Sequence, residues 1–152
     1  MEENQKIVRG KTVAASKAPR DPDLALEWIL LAAFALTAFV YLQLSPGTYQ
    51  DDDLDHFFMA RAAFRNPVFL IDPWGRPAFT ILYALPAQLG FTAVRLMTVV
   101  ISVVAAWVTG RTARRLGYRS PALVSGLTVW QPLFLILSFS ALVEPLAALG
   151  IA

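Results

Sequence analysis

The chain has no cysteine and a single histidine among its 152 residues. The first absence excludes a disulfide framework and any thiolate metal centre. The second leaves a zinc site dependent on carboxylates for its remaining ligands, an uncommon donor set. Charge is also scarce, at 16% of residues, against 57% apolar residues. That balance lies far from an average soluble domain and close to an integral membrane protein. The arginines are scattered between apolar runs and form no basic stripe, so nucleic acid is not an expected partner. No internal repeat and no low-complexity segment is present.

Two apolar runs have the length to cross a bilayer, Leu24–Leu44 and Phe91–Gly110. A third, roughly Ala122–Val143, contains Pro132, which predicts a kink, and Gln131, which predicts a face turned to protein rather than lipid. The first run carries one acid near its start, Glu27, and then no charge. Residues 1–23 are polar and basic and predict a disordered tail. The run is too long for a signal-peptide core and no clear cleavage site follows, so it reads as a retained signal anchor. Asp21-Pro22-Asp23 is a helix-start signal and Ser45-Pro46-Gly47 a stop. In the apolar stretch from Ala78 to Gly110, Pro86 and Gly90 act as breaks. The piece 78–89 has the size of an interfacial or re-entrant helix.

Charge placement sets the expected topology. Lys6, Arg9, Lys11, Lys17 and Arg20 stand before the first run, and Arg111, Arg114, Arg115 and Arg119 after the second. Basic residues in short segments stay cytoplasmic. The tail and residues 111–119 are therefore expected inside, and the acidic segment 45–90 and Glu144 outside. The expected fold class is an all-α membrane protein with about three spans and interfacial helices in its first outer loop.

That loop opens with Asp51-Asp52-Asp53-Leu54-Asp55-His56. On a helix over 51–64, Asp52, His56, Met59 and Ala63 share one face, with Leu54, Phe57, Phe58 and Phe64 on the other. Arg61 and Arg65 flank the apolar side, where they reach lipid headgroups. The pattern predicts an interfacial helix with its aromatic side down. Clustered acids raise one member's pKa, which suits a general base beside a membrane-bound substrate. Capping and solubilising the loop is the simpler reading. A third is magnesium or manganese bound through Asp51-x-Asp53 or Asp53-x-Asp55. Trp74 and Tyr49 fit an interfacial belt. Trp107 and Trp130 fit packing or lipid-facing positions. Arg95 fits headgroup snorkelling, a positioning salt bridge, or contact with a lipid diphosphate.

The order of these elements resembles the N-terminal part of the C-type membrane glycosyltransferases. That superfamily includes the protein O-mannosyl-, aminoarabinose and GPI-anchor mannosyltransferases. The resemblance covers roughly 24–152. It rests on Asp52-Asp53 after the first span, His56 three residues on, then Ala60-Arg61. Asp72-Pro73-Trp74-Gly75-Arg76-Pro77, Arg95-Leu96 and Gly110-Arg111-x-x-Arg114-Arg115 follow. It implies sugar transfer from a polyprenyl-phosphate-linked donor. Asp52 corresponds to the usual base, Asp53 to its partner acid and Glu144 to a later outer acid. His56, Arg76 and Arg95 then contact substrate, Arg76-Pro77 near the lipid phosphate. The chain departs from the pattern in having Asp for Glu at 53 and Ala78 where a second proline is frequent. No cofactor and no metal ligand is expected, because the two matching acids are adjacent rather than alternating. The implied partners are the lipid-linked donor and membrane lipids. Such enzymes have more spans, so the chain reads as an N-terminal portion. The reading from another class is a small three-span assembly partner or transporter subunit.

Overall fold

The computed structural model describes residues 22–45, 48 and 51–152, with the side chain of Asp51 excepted. The expected disordered tail, apart from its last two residues, lies outside them, as do Pro46, Gly47 and the interfacial position Tyr49. The described residues are all-α, without a strand. Helix α1 runs Pro22–Leu44, so Pro22 and Asp23 already belong to the first helix. Then come α2, Asp51–Ala62, a 3₁₀ turn, Pro67–Leu70, and α3, Pro77–Leu89. The long α4 spans Phe91–Arg115. Three short helices follow: α5, Pro121–Val129; α6, Pro132–Ser138; and α7, Glu144–Ile151.

Helices α1 and α4 are each long and apolar enough to cross a membrane. The chain is a multi-pass membrane protein by that measure, with α5 and α6 as a third crossing if they count as one. They are bent by 68° at the break between them. The expected continuous span over 122–143 is thus a broken pair. Pro132 lacks the N–H that would continue α5, and it opens α6 as a first-turn proline. Gln131, at the break, is exposed rather than turned toward protein.

Two packing units divide the molecule lengthwise. Leu31, Phe34, Ala38 and Leu42 of α1 bury against Val99 and Ala106 of α4 and Val129 of α5. Apolar burial gives little drive between helices inside lipid, so close van der Waals packing carries this interface. From Ser102 onward the buried face of α4 is accordingly small: Ser102, Ala105, Ala106, Gly110 and Ala113. The hydroxyl of Ser102 donates to the Thr98 carbonyl at 2.8 Å and that of Thr98 to the Val94 carbonyl at 3.1 Å, which satisfies both inside the helix. The second unit joins Phe57 and Ala60 of α2, Phe79, Tyr83 and Ala87 of α3, and Val94 and Ile101 of α4.

Two sequence breaks behave differently in the fold. Pro86 lies inside α3 without ending it, while Gly90 (φ 115°) does end it. Gly110 does not end α4, which continues through Arg115. The glycine at its close is Gly117, with φ 82° in the left-handed region.

Candidate functional site

Helix α2 places Asp51, Asp52 and Asp53 in its first turn, where the helix dipole favours them. Its inward face differs from the expected one. Asp53, His56, Phe57, Ala60 and Ala63 are buried, while Leu54, Phe58 and Phe64 are exposed. Phe57 therefore belongs to the core, not to a lipid-facing side. Its ring lies 5.3 Å from that of Phe91 at the start of α4, and that contact sets the rotation of α2.

The floor beneath α2 is α3. Phe79 stacks on Tyr83 with centroids 3.9 Å apart, and the His56 ring lies 5.4 Å from Phe79. Tyr83 shares a 3.1 Å hydroxyl contact with Thr98 of α4. The link before α3 is built from local bonds. The Trp74 N–H donates to Asp72 Oδ1 at 2.8 Å, and the Thr80 hydroxyl donates to the Gly75 carbonyl at 2.6 Å. A Cβ on Gly75 would stand 3.0 Å from Thr80 Oγ1 and 3.3 Å from Met59 Sδ, so this link packs onto α2. Arg76 follows with φ 54° and ψ 88°, a non-glycine residue held in the left-handed region.

Arg95 joins the remaining piece. It is 4% exposed, and its Nε donates to the Phe139 carbonyl at 2.7 Å. That bond holds the turn between α6 and α7 against the first turns of α4. The turn delivers Glu144 at the start of α7, beside buried Pro145.

The six candidate residues drawn from the sequence thus share one end of the bundle. Asp52 is half-buried, Asp53 and His56 are buried, Arg76 and Glu144 are exposed, and Arg95 is buried. The charges of Asp52, Arg76, Glu144 and Asp55 all act on His56, and that of Asp53 acts on Arg95. Asp52 and Glu144, far apart in sequence, thus both act on one side chain. Burial pushes the His56 imidazole below its ordinary pKa. Asp52 pulls it up, Arg76 lowers it further, and Glu144 and Asp55 pull it up again. Its Nδ1 and one Arg95 terminal nitrogen are buried without a hydrogen-bond partner. Chemically this is a neutral imidazole beside carboxylates and the Arg76 guanidinium, a set that can accept a proton and steady an anion. Among the described residues no three His, Asp or Glu side chains are grouped to hold a metal ion. The Asp51-x-Asp53 register lies outside the described side chains.

The opposite end holds a charged cluster that the sequence pattern did not single out. Glu27 is fully buried in α1. Its Oε1 accepts from the Ser125 hydroxyl at 3.1 Å, and its Oε2 stands 3.2 Å from Arg111 Nη2, an ion pair without hydrogen-bond alignment. Asp23 Oδ1 accepts from the Ser120 hydroxyl at 2.7 Å, and its Oδ2 from the Ala122 N–H at 3.3 Å, capping α5 from another helix. Arg114 reaches Asp23 at 3.7 Å. A Cβ on Gly110 would collide with Ser125 Oγ and Glu27 Oε1. The signal was present: an acid inside an apolar span, facing an arginine and a glycine on another.

No protein-family profile matches the chain, and no curated protein or solved structure is significantly similar to it.

Proposed function

We propose that the Asp53 end of the bundle is part of the catalytic site of an integral-membrane glycosyltransferase that uses a polyprenyl-phosphate-linked sugar. The supporting observation is convergence. Asp52, Arg76 and Glu144 come from three separate elements and all act on buried His56. In this reading Asp52, half-buried at the mouth, removes the proton of the acceptor hydroxyl. The acceptor oxygen bonds to the anomeric carbon as the carbon–phosphate oxygen bond breaks, and the pair leaves with the lipid phosphate. Exposed Arg76 meets that developing charge. Arg95 acts as a positioning residue, since its Nε is already committed to Phe139. No metal is assigned.

Since this portion alone is not expected to be active, the test is sugar transfer from a radiolabelled polyprenyl-phosphate sugar in membranes bearing the full-length enzyme that contains it. Asp52→Asn should lower it about a hundredfold or more at unchanged protein level. Glu144→Gln should lower it less. Unchanged transfer in both variants favours a non-enzymatic assembly role, for which the Glu27–Arg111 and Arg95–Phe139 ties would be purely structural.

The reading also places the Asp53 end outside and the Arg111 end in the cytoplasm, following the arginines after α4. The chain has no cysteine of its own. In intact cells Val68→Cys should react with an impermeant thiol reagent and Tyr118→Cys should not, both positions being exposed. Labelling at 118 would reverse the orientation.

A further inference from the structure

The flank of α2 turned away from His56 carries a hollow of about 370 Å³, lined by Phe58, Arg61, Ala62, Arg65 and Gln88. We propose that it binds the phosphate of an anionic membrane phospholipid, between Arg61 and Arg65. No carboxylate lines it. Both guanidinium groups are exposed, and neither forms an ion pair among the described residues. Arg61 rests 5.8 Å over the Phe57 ring, which steadies its plane while leaving its N–H edge open. Planar guanidinium forks match phosphate oxygens two at a time.

The wall opposite is fixed. The Gln88 side-chain nitrogen donates to the Arg61 carbonyl at 3.0 Å and to the Ala84 carbonyl at 2.9 Å, which ties α3 to the end of α2. The hollow is therefore a junction of two helices, not two unrelated surface arginines.

The segment that carries it favours a lipid over a free anion. Phe58, Phe64, Val68, Ile71 and Trp74 are each more than half exposed on the same α2-to-α3 segment. An exposed apolar segment of this kind is costly in water and suits the headgroup–acyl boundary. Helix α3 also passes from the hollow to a purely apolar groove. Gln88 lines the first; Leu85 and Leu89 line the second with Leu96 and Val100 of α4, around about 300 Å³. One helix thus offers a cationic seat for a headgroup and an apolar seat for a chain.

Native mass spectrometry of the detergent-purified chain tests this, with phosphatidylglycerol, phosphatidylcholine and inorganic phosphate as probes. The protein should retain phosphatidylglycerol at least fivefold over phosphatidylcholine. Arg61→Gln/Arg65→Gln should abolish that preference with an unchanged melting temperature, and Arg61→Lys/Arg65→Lys should keep part of it. Arg115→Gln/Arg119→Gln, at the other end of the bundle, should leave it intact. Retained preference in the Arg61→Gln/Arg65→Gln protein, or its loss in the Arg115→Gln/Arg119→Gln protein, overturns the proposal. So does displacement of the lipid by millimolar inorganic phosphate, which would mark a free-anion site.

Discussion

At the Arg111 end, the carboxylate oxygens of Asp23 and Glu27 each face a donor: Ser120, Ala122, Ser125 and Arg111. At the Asp53 end, buried nitrogens of His56 and Arg95 have no hydrogen-bond partner, and exposed Arg76 and Glu144 stand at the rim. Both ends bring acid and arginine together, but direct pairs form at the first, Glu27 with Arg111 and Asp23 with Arg114, while exposed Arg76 and Glu144 form no ion pair among the described residues. Buried atoms without a hydrogen bond occur at both ends, Glu27 Oε2 and Arg111 Nε at the first, so the difference lies in the exposed, unpaired charges at the rim of the second, which have capacity for an outside group. The comparison separates a clasp from a site.

The clasp should break hardest. Glu27→Ala leaves Arg111 facing an empty, partly apolar space and should destabilise the protein by about 3 kcal/mol, the low end for a split buried pair because Arg111 is partly exposed. Glu27→Gln/Arg111→Gln should recover part of that loss. Thermal unfolding in detergent measures both. A melting temperature unchanged in Glu27→Ala would show that the ion pair does not hold the helices together.

Gly110→Ala should follow. The added methyl collides with Ser125 Oγ and Glu27 Oε1, both within a tight three-helix contact. Overpacking of this kind costs about 1–3 kcal/mol. Gly117→Ala is strained too, by its φ of 82°, but meets open space, so its loss should be smaller. Equal losses at the two glycines would mean that backbone conformation, not the clasp, governs Gly110.

These two glycines also show where the sequence was legible. Apolar length located α1 and α4, and the apolar piece 78–89 ahead of the Gly90 break located α3 almost to the residue. A glycine followed by arginines looks the same whether it stops a helix or makes room for a carboxylate on another one. That choice depends on Glu27, more than 80 residues away, and sequence order does not carry it. The rotation of α2 was missed for a similar reason. Its pattern fits two faces, and the Phe91 ring that selects one comes from α4. The composition of the site was easier to read, because acids and a lone histidine stand out in an apolar chain. The role of Arg95 as a tie to Phe139 was not, since its partner is a backbone carbonyl.

The open end should reveal itself through pH. His56 is buried with its pKa below the ordinary value of about 6.5. Above that value both folded and unfolded chains carry it neutral, and it adds no pH dependence. As pH falls, the unfolded chain takes the proton first, so stability declines until the folded-state pKa is passed. The slope is at most about 1.4 kcal/mol per pH unit. Asp52, Asp55, Glu144 and Arg76 face the ring, and the three acids soften the decline as long as they stay ionised. His56→Gln should remove this component, seen as the difference between wild-type and variant melting curves from pH 7 to 5. An identical pH profile in the variant would show that burial of His56 has no energetic weight.

The smallest change expected in stability is a gain. Arg76 holds φ 54° ahead of Pro77, a conformation that a side chain disfavours by about 1–2 kcal/mol. Arg76→Gly relieves that cost but gives the unfolded chain more freedom, which offsets about 0.5–1 kcal/mol. The net should be a stabilisation of up to about 1 kcal/mol, read as a slightly higher melting temperature. Structural residues do not ordinarily hold a strained backbone that a glycine would improve. A strained arginine beside His56 makes sense where the guanidinium meets something outside the chain. The same variant should therefore lose sugar transfer while gaining stability. A destabilised Arg76→Gly protein would instead make Arg76 a packing residue, and the contrast between the two ends would lose its main support at the rim.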